Sequence, residues 1–191
     1  MADLVLSGNT SGAITISAPA VAGTNTLTLP ANTGTVITTG SSGQVIPKAA
    51  LPTGSVLQVV ATNFVGTSQS TTSTSFVSTT FSASITPSNA SSKILILFMG
   101  ECYYSNISYY SAITVYRNSS TNLATSGADG MLQNNSASNW IPISINWIDS
   151  PSTTSSTTYT IYHRTYNSGT ASVMGWGTGA NCSMTLMEIA A

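Results

Sequence analysis

The sequence predicts an all-β protein in which a short-stranded N-terminal segment precedes an antiparallel jelly-roll sandwich. Three observations carry that expectation. Thr, Val, Ile and Tyr, which suit a pleated and half-buried surface, are abundant, whereas charged residues of every kind make up only 5% of the 191 residues, so the helix formers Glu, Lys and Arg are nearly absent. Apolar residues reach 41%, enough for a sizeable core, and Ser and Thr, about a third of the chain, supply the polar surface. Apolar beats of strand length recur between Gly, Asn and Pro throughout. A net charge of -1 with many aromatic and β-branched residues is the opposite of a disordered composition.

Residues 1–46 carry four short beats, "LVL", "AITI", "TLTL" and "TVIT", each long enough for a strand of about four residues. Such a segment buries too little apolar area to stand alone, and the partner it needs is another copy of itself. Small and hydroxylated side chains suit close interchain packing, and the shared ladders hide backbone edges that would otherwise aggregate. Leu27, Leu29, Val36 and Ile37 are therefore expected at an oligomer or attachment interface.

A hinge is read over residues 47–54, where Pro47 and Pro52 break continuous sheet and "PKAAL" has room for a single helical turn. From residue 55 to 191 the beats lengthen: "SVLQVVATNF", "TSFVSTTFSASITP", "SKILILFMGECYY", "YSAITVYRNSS", "NWIPISINWIDS", "STTYTIYHRTYN" and "CSMTLMEIA". Seven or eight such strands make a sandwich. Alternation places Ile141, Ile143, Ile145 and Trp147 on one face, and sets Ile113, Val115 and Arg117 against Ala112, Thr114 and Tyr116. The last strand is apolar on both faces apart from Thr185 and Glu188, so Met184, Leu186, Met187 and Ile189 are expected to meet a neighbouring subunit.

Composition excludes several function classes. Lys48, Lys93, Arg117 and Arg164 are scattered and cannot neutralise a run of phosphates, and no basic amphipathic stripe exists, so neither nucleic acid nor a membrane is an expected partner. The longest apolar run, Ile94 to Met99, is too short to span a bilayer. Met1-Ala2-Asp3 lacks a basic leader region, and the expectation is synthesis in a cytosol without targeting by the chain itself. Cys102 and Cys182 have neither metal-ligand spacing nor the density of a disulfide scaffold, and buried free thiols are expected. No metal or cofactor is implied. Asn-x-Ser/Thr sequons at Asn9, Asn89, Asn106, Asn118, Asn134 and Asn181 are what chance produces in so polar a chain.

Catalytic motifs are weak. His163, the only histidine, has no Gly-x-Ser-x-Gly elbow to work with and reads as a strand residue at a surface or interface. Asp3, Glu101, Asp129, Asp149 and Glu188 are far apart in sequence, so an acid/base pair would need two distant strands to converge. "GADG" offers one acid where a calcium loop needs several, and "GWGTG" lacks the strand-loop-helix setting of a phosphate loop. The aromatic residues are more informative. Tyr103, Tyr104, Tyr109 and Tyr110 flank "SNIS" at the tip joining two strands. With Asn106, and with Trp176 in its Gly-rich loop, they are candidate contacts for a host-surface glycan, ring faces meeting pyranose CH faces and amides meeting hydroxyls.

The stretch "SGAITISAPAVAGTNTLTLPANTGTVITTG" resembles a module at the start of many tailed-phage virion proteins, especially fibre-like proteins of marine and cyanobacterial phages. The phrases "GSVLQVV", "SFVSTTFSASITPSNASSKILILFMG", "YTIYHRTYNSGT" and "SMTLMEIA" resemble the trimeric knobs that follow it, which are similar to the jelly-roll heads of the tumour necrosis factor and complement type. The resemblance covers essentially the whole chain and rests on structural phrases rather than catalytic signatures. It implies a non-enzymatic homotrimer located on a virion, joined by residues 1–46 to other virion proteins such as capsid, portal, tail or fibre-attachment proteins. As roles it implies a fibre or spike or a head decoration, with a capsid cement protein as the alternative. A glycan depolymerase or esterase is the reading from a different class, and it would need converging carboxylates or an activated serine.

Overall fold

The computed structural model describes residues 4–7, 11–16, 24, 48–105, 110–124, 130–135, 139–167, 169–173 and 180–191. The chain divides into two units, Met1–Gln44 and Val45–Ala191. In the first, β1 (Leu4–Ser7) and β2 (Ala13–Ile16) pair antiparallel with Leu4 opposite Ile16 and Ser7 opposite Ala13. Gly12, at a φ of 79°, takes the left-handed conformation that leads into β2. The beats "TLTL" and "TVIT", with Leu27, Leu29, Val36 and Ile37, lie outside the described residues.

The second unit opens with one 3-10 turn, Lys48–Ala50, within the segment read as a hinge. Its strands are β3 (Val56–Gly66), β4 (Gln69–Thr71), β5 (Val77–Ile85), β6 (Lys93–Tyr104), β7 (Ser111–Arg117), β8 (Thr121–Asn122) and β9 (Leu132–Asn134). The remainder are β10 (Trp140–Asp149), β11 (Thr157–Thr165), β12 (Ala171–Val173) and β13 (Ala180–Ile189). The long strands coincide with the apolar beats to within a few residues at each end, because those beats are bounded by clusters of Gly, Pro, Asn and Ser that favour turns.

Two antiparallel sheets form the sandwich. One runs β3-β13-β6, with β10 on the far edge of β6 and β12-β4 continuing beside its C-terminal end; the other runs β5-β11-β7-β8, with β9 also on β7. The pairs β3 with β13, β5 with β11 and β6 with β10 nest inside one another along the chain. Successive long strands therefore alternate between sheets. That is jelly-roll connectivity.

Alternation along each strand delivers the core. On β6 the residues Ile94, Ile96, Phe98, Cys102 and Tyr104 are buried, and they pack toward Phe81, Ile85, Ile113, Val115, Tyr159 and Ile161 of the opposing sheet. Gly100 keeps the same period. The Phe98 ring lies over it, where an added Cβ would sit 2.9 Å from the ring tip and 3.2 Å from Cys182 Cβ. On β10 the expected face of Ile141, Ile143, Ile145 and Trp147 does join the core.

Two expectations are corrected here. Met184 and Leu186 do not face a neighbouring subunit: they are fully buried on the inner face of β13, because Met184 stands opposite Phe98 and Leu186 opposite Ile96. Only Met187 and Ile189 of that group point outward. Strand β7 is buried on both faces, not one, since Ala112 and Thr114 on its outer side are fully covered. At the end of the same outer row the Tyr116 ring stacks on Tyr162 and packs beside Phe76.

Removing a buried side chain from this core leaves a cavity that close-packed strands cannot close. Leu186→Ala should therefore lower unfolding free energy by about 2–5 kcal/mol, while Ser82→Ala on the exposed face of β5 should stay within about 0.5 kcal/mol. Urea titration of both variants measures the difference.

Candidate functional site

The carboxylates are the first place to look for chemistry. In the register of the first sheet, Glu188 on β13 and Asp149 on β10 are both partners of Ile94, one on each side of β6. Two strand spacings separate their backbones, roughly 10 Å, and both side chains point into the sandwich. Convergence of distant carboxylates has thus happened, but every oxygen is taken. Glu188 Oε1 accepts from the Ser88 backbone N–H at 2.6 Å and from the Ser88 and Ser92 hydroxyls at 2.7 and 2.8 Å. Its Oε2 accepts from Gln58 at 2.7 Å, with Lys48 Nζ at 3.9 Å. Burial pushes this carboxyl up, yet the donated hydrogen bonds outweigh it and hold the group below its ordinary range.

Asp149 is bound from the opposite sheet. Arg117 Nη1 on β7 reaches its two oxygens at 2.8 and 2.9 Å, and the Tyr159 hydroxyl of β11 donates to Oδ2 at 2.8 Å. Burial, followed by the hydrogen bond to Asp149, raises the Tyr159 phenol above its usual range. These two carboxylates close one end of the sandwich and leave no oxygen for proton transfer to a substrate. Glu101 sits on the outer face of β6 away from both, and Asp3 and Asp129 lie outside the described residues. Among the described residues no group of three or more His, Cys, Asp or Glu is placed to hold a metal ion, and no helix is long and apolar enough to cross a membrane.

His163 is corrected from a surface or interface position to a core one. It is 2% exposed, its register partners are Ile113 and Val77, and its Nδ1 has no hydrogen-bond partner among the described residues. Burial lowers its pKa to about 4. Cys102 and Cys182 are free and buried, and desolvation pushes both thiols up to about 11, which keeps them protonated and inert.

The glycan candidates scatter. Tyr103 and Tyr104 are consecutive in a strand and so point to opposite faces. Tyr104 is fully buried, which corrects its reading as a ligand contact, and Tyr103 packs on Trp140 at 5.5 Å between ring centroids. Tyr110 packs on Tyr166 at 4.6 Å. Asn106, Tyr109 and Trp176 lie outside the described residues.

What the structure assembles instead is a surface, the outer face of the first sheet. One row of register partners crosses four strands: Val59 on β3, Met187 on β13, Leu95 on β6 and Ile148 on β10. Adjacent rows add Leu97 and Ala61, then Met99, then Val65, with Val56 and Ile189 at the other end. Val65 is 72% exposed, Met99 64% and Ile148 58%. Lys93 and Glu101, on the same face at the two ends of β6, bracket an expanse with no charge between them. Met99 stands between two hollows. One, of about 330 Å³, is lined by Leu97, Ser144, Asn146, Ser183 and Thr185; the other, of about 320 Å³, by Asn63, Val65 and Asn181 with Ser183. The hollows exist because small Ser and Thr side chains neighbour a long thioether.

Sequence reading found Met187 and Ile189 of this surface but missed Val59, Leu95, Leu97, Met99 and Ile148. The signal was present in "KILILFM", where apolar residues occupy both faces of one strand.

No protein-family model and no curated protein matches the chain. Among solved structures it is similar to a chain of "Structure of infectious bursal disease virus Gx strain", at 15% identity over 71% of this chain and 37% of that one, with a TM-score of 0.36. It is also similar to a chain of "Structure of infectious bursal disease virus Gt strain", at 12% identity over 97% of this chain and 46% of that one, with a TM-score of 0.38. The chain spans less than half the length of either. Likeness this slight bears on neither role nor partner.

The buried histidine generates a pH prediction. With a folded pKa of about 4 against 6.5 for a free imidazole, the unfolded chain binds the extra proton between those values, so stability is complete above pH 6.5 and falls as pH drops toward 4. The loss in that window should be about 3 kcal/mol and should be absent in His163→Leu. Glu188 acts separately, its lowered pKa giving stability that is present above the unfolded carboxyl pKa and lost as pH falls through the folded one. Melting temperatures from pH 7 to 3 for both proteins resolve the two windows.

Proposed function

We propose that this chain is a non-enzymatic structural protein of a virion, assembling as a homotrimer through the outer face of its first sheet and attaching through residues 1–46. The observation that carries the reading is the uncharged apolar row Val59, Met187, Leu95 and Ile148, with the Met99 knob beside its two hollows. A run of exposed apolar side chains spread over four strands is the kind of surface that marks a protein–protein contact. A knob and a hollow on one face suit a heterologous contact, in which each copy inserts into the next and the ring closes.

Two further features support a structural role. Among the described residues the buried carboxylates Glu188 and Asp149 bind groups of the sandwich's own strands and connections, and the chain is rich in Ser and Thr, suiting a particle component that must pack in many copies without long-range repulsion. The resemblance of residues 11–40 to phage virion modules supports a reading in which the first unit attaches and the second is displayed. The role is that of a fibre or spike knob or a head decoration.

Light scattering on the full-length chain should give a trimer, and Met99→Glu should give monomers with an unchanged circular-dichroism spectrum, because three buried unpaired carboxylates cost several kcal/mol each. A monomeric parent protein overturns the assembly reading. Leu29→Asp should abolish incorporation into particles while residues 55–191 stay folded, and Leu29→Val should incorporate normally. Normal incorporation of the Asp variant moves the attachment role out of the first unit.

A further inference from the structure

One long strand edge of the sandwich is left open. Among the described residues β3 is paired only with β13, and from Gln58 to Gly66 that pairing runs residue for residue without a bulge. The stretch "QVVATNFVG" contains no proline and no charged residue. An exposed edge is a template for pairing with another chain, and proteins blunt it by brevity, proline, a bulge or an inward-pointing charge. The other edges of this sandwich use each of those devices. Strands β4, β8 and β9 are two or three residues long, and β10 carries Pro142 and turns Asp149 inward. Strand β5 bulges between Ser78 and Ser82, where Thr79, Thr80 and Phe81 stand across from Ile161 alone. On β3 the inward-facing Val60 and Phe64 pack against the core yet stay only partly buried, because no strand lies beyond them.

The sequence of the strand identifies its occupant. Two copies of β3 related by a two-fold axis form an antiparallel pair, and a two-fold contact has to be self-complementary. Centred on Thr62, the pairing sets Val59 against Val65 of the other copy on the outer face and Val60 against Phe64 on the inner face, with Ala61 against Asn63 between them. Large apolar residues then meet only each other on both faces. Centring on Ala61 instead would set Val59 against Asn63 and Gln58 against Phe64, and centring on Asn63 would set Thr62 against Phe64 and Val60 against Gly66. A centre between two residues would oppose inward to outward positions. The strand is thus palindromic in hydropathy about one residue. The two-fold axis stands perpendicular to the sheet, so both copies turn their apolar rows to the same side and the ladder continues across the junction.

We propose that β3 is a second assembly contact, pairing edge to edge with β3 of another copy about a two-fold axis at Thr62. The pairing supplies partners to the backbone groups of the open edge, cover to Val60 and Phe64, and an apolar neighbour to Val59 and Val65, which are 54% and 72% exposed. The contact does not rest on the trimer reading. It doubles whatever unit the outer face produces, trimer to hexamer, or monomer to dimer where that face is disabled.

The test is light scattering on the full-length protein and on its Met99→Glu variant from about 1 μM to about 1 mM, a range that reaches weak association. The mass of each should double as concentration rises, and the starting mass reports separately on the trimer reading. In the Met99→Glu background, adding Val59→Lys with Val65→Lys sets like charges directly opposite at two places across the axis and should abolish the doubling. Adding Val59→Lys with Val65→Glu sets opposite charges there and should keep it. Circular dichroism shows which variants are folded. Hydrogen exchange of the unsubstituted protein needs no variant: amides of Val59 to Val65 should exchange more slowly at the high end of the range than at the low end. No doubling up to about 1 mM, doubling that the folded Lys/Lys variant retains or that the folded Lys/Glu variant loses, or exchange in β3 that is independent of concentration overturns the proposal.

Discussion

The sandwich depends on strand β6 being paired along both edges. Strand β6 has β10 on one side and β13 then β12 on the other, so nearly all of its backbone is paired and its inner residues fall into register with those of three other strands. A one-residue slip would turn Ile94, Ile96 and Phe98 outward and drive Lys93 and Glu101 into the core. No other strand among the described residues is paired at so many positions.

The end of that register is where the scarce charges are spent. Gln58, Glu188, Ile94 and Asp149 form the last inner row of the first sheet, and each carboxylate is met from outside its own strand, Glu188 by the β5–β6 connection and Asp149 by Arg117 and Tyr159 of the second sheet. Removing one partner would leave a buried charge alone, which is far worse than never having had the pair. The row therefore specifies which strand lies where more than it adds net stability. It also explains why convergent carboxylates in this fold do not amount to a catalytic dyad.

With strands pinned in this way, the two outer faces are free to differ. The first sheet turns outward an apolar, uncharged surface with a thioether knob, and the second turns outward rings framed by hydroxyls. A sandwich whose inner faces carry all the stability leaves its outer faces to function.

The sequence by itself determined the class, the long strands and the inner faces of several of them, because a period of two is a local property that "NWIPISINWID" displays without help from any other segment. It also determined that the cysteines behave as small hydrophobes. What it left open were positions whose fate depends on which strand lies alongside. Met184 and Leu186 read the same as Met187 and Ile189 in one dimension; only their alignment with Phe98 and Ile96 sends the first pair inward. Tyr104, His163 and the covered outer side of β7 were hidden for the same reason, since burial is conferred by partners far away in the chain. The ring contacts on the outer side of the second sheet join four separated stretches, Phe76, Tyr110, Tyr116 and Tyr162 to Tyr166, and pairing of β11 with β7 is what lines them up. Side-chain alternation is written locally, whereas neighbourhood is decided by long-range strand pairing, and both candidate surfaces are properties of neighbourhood.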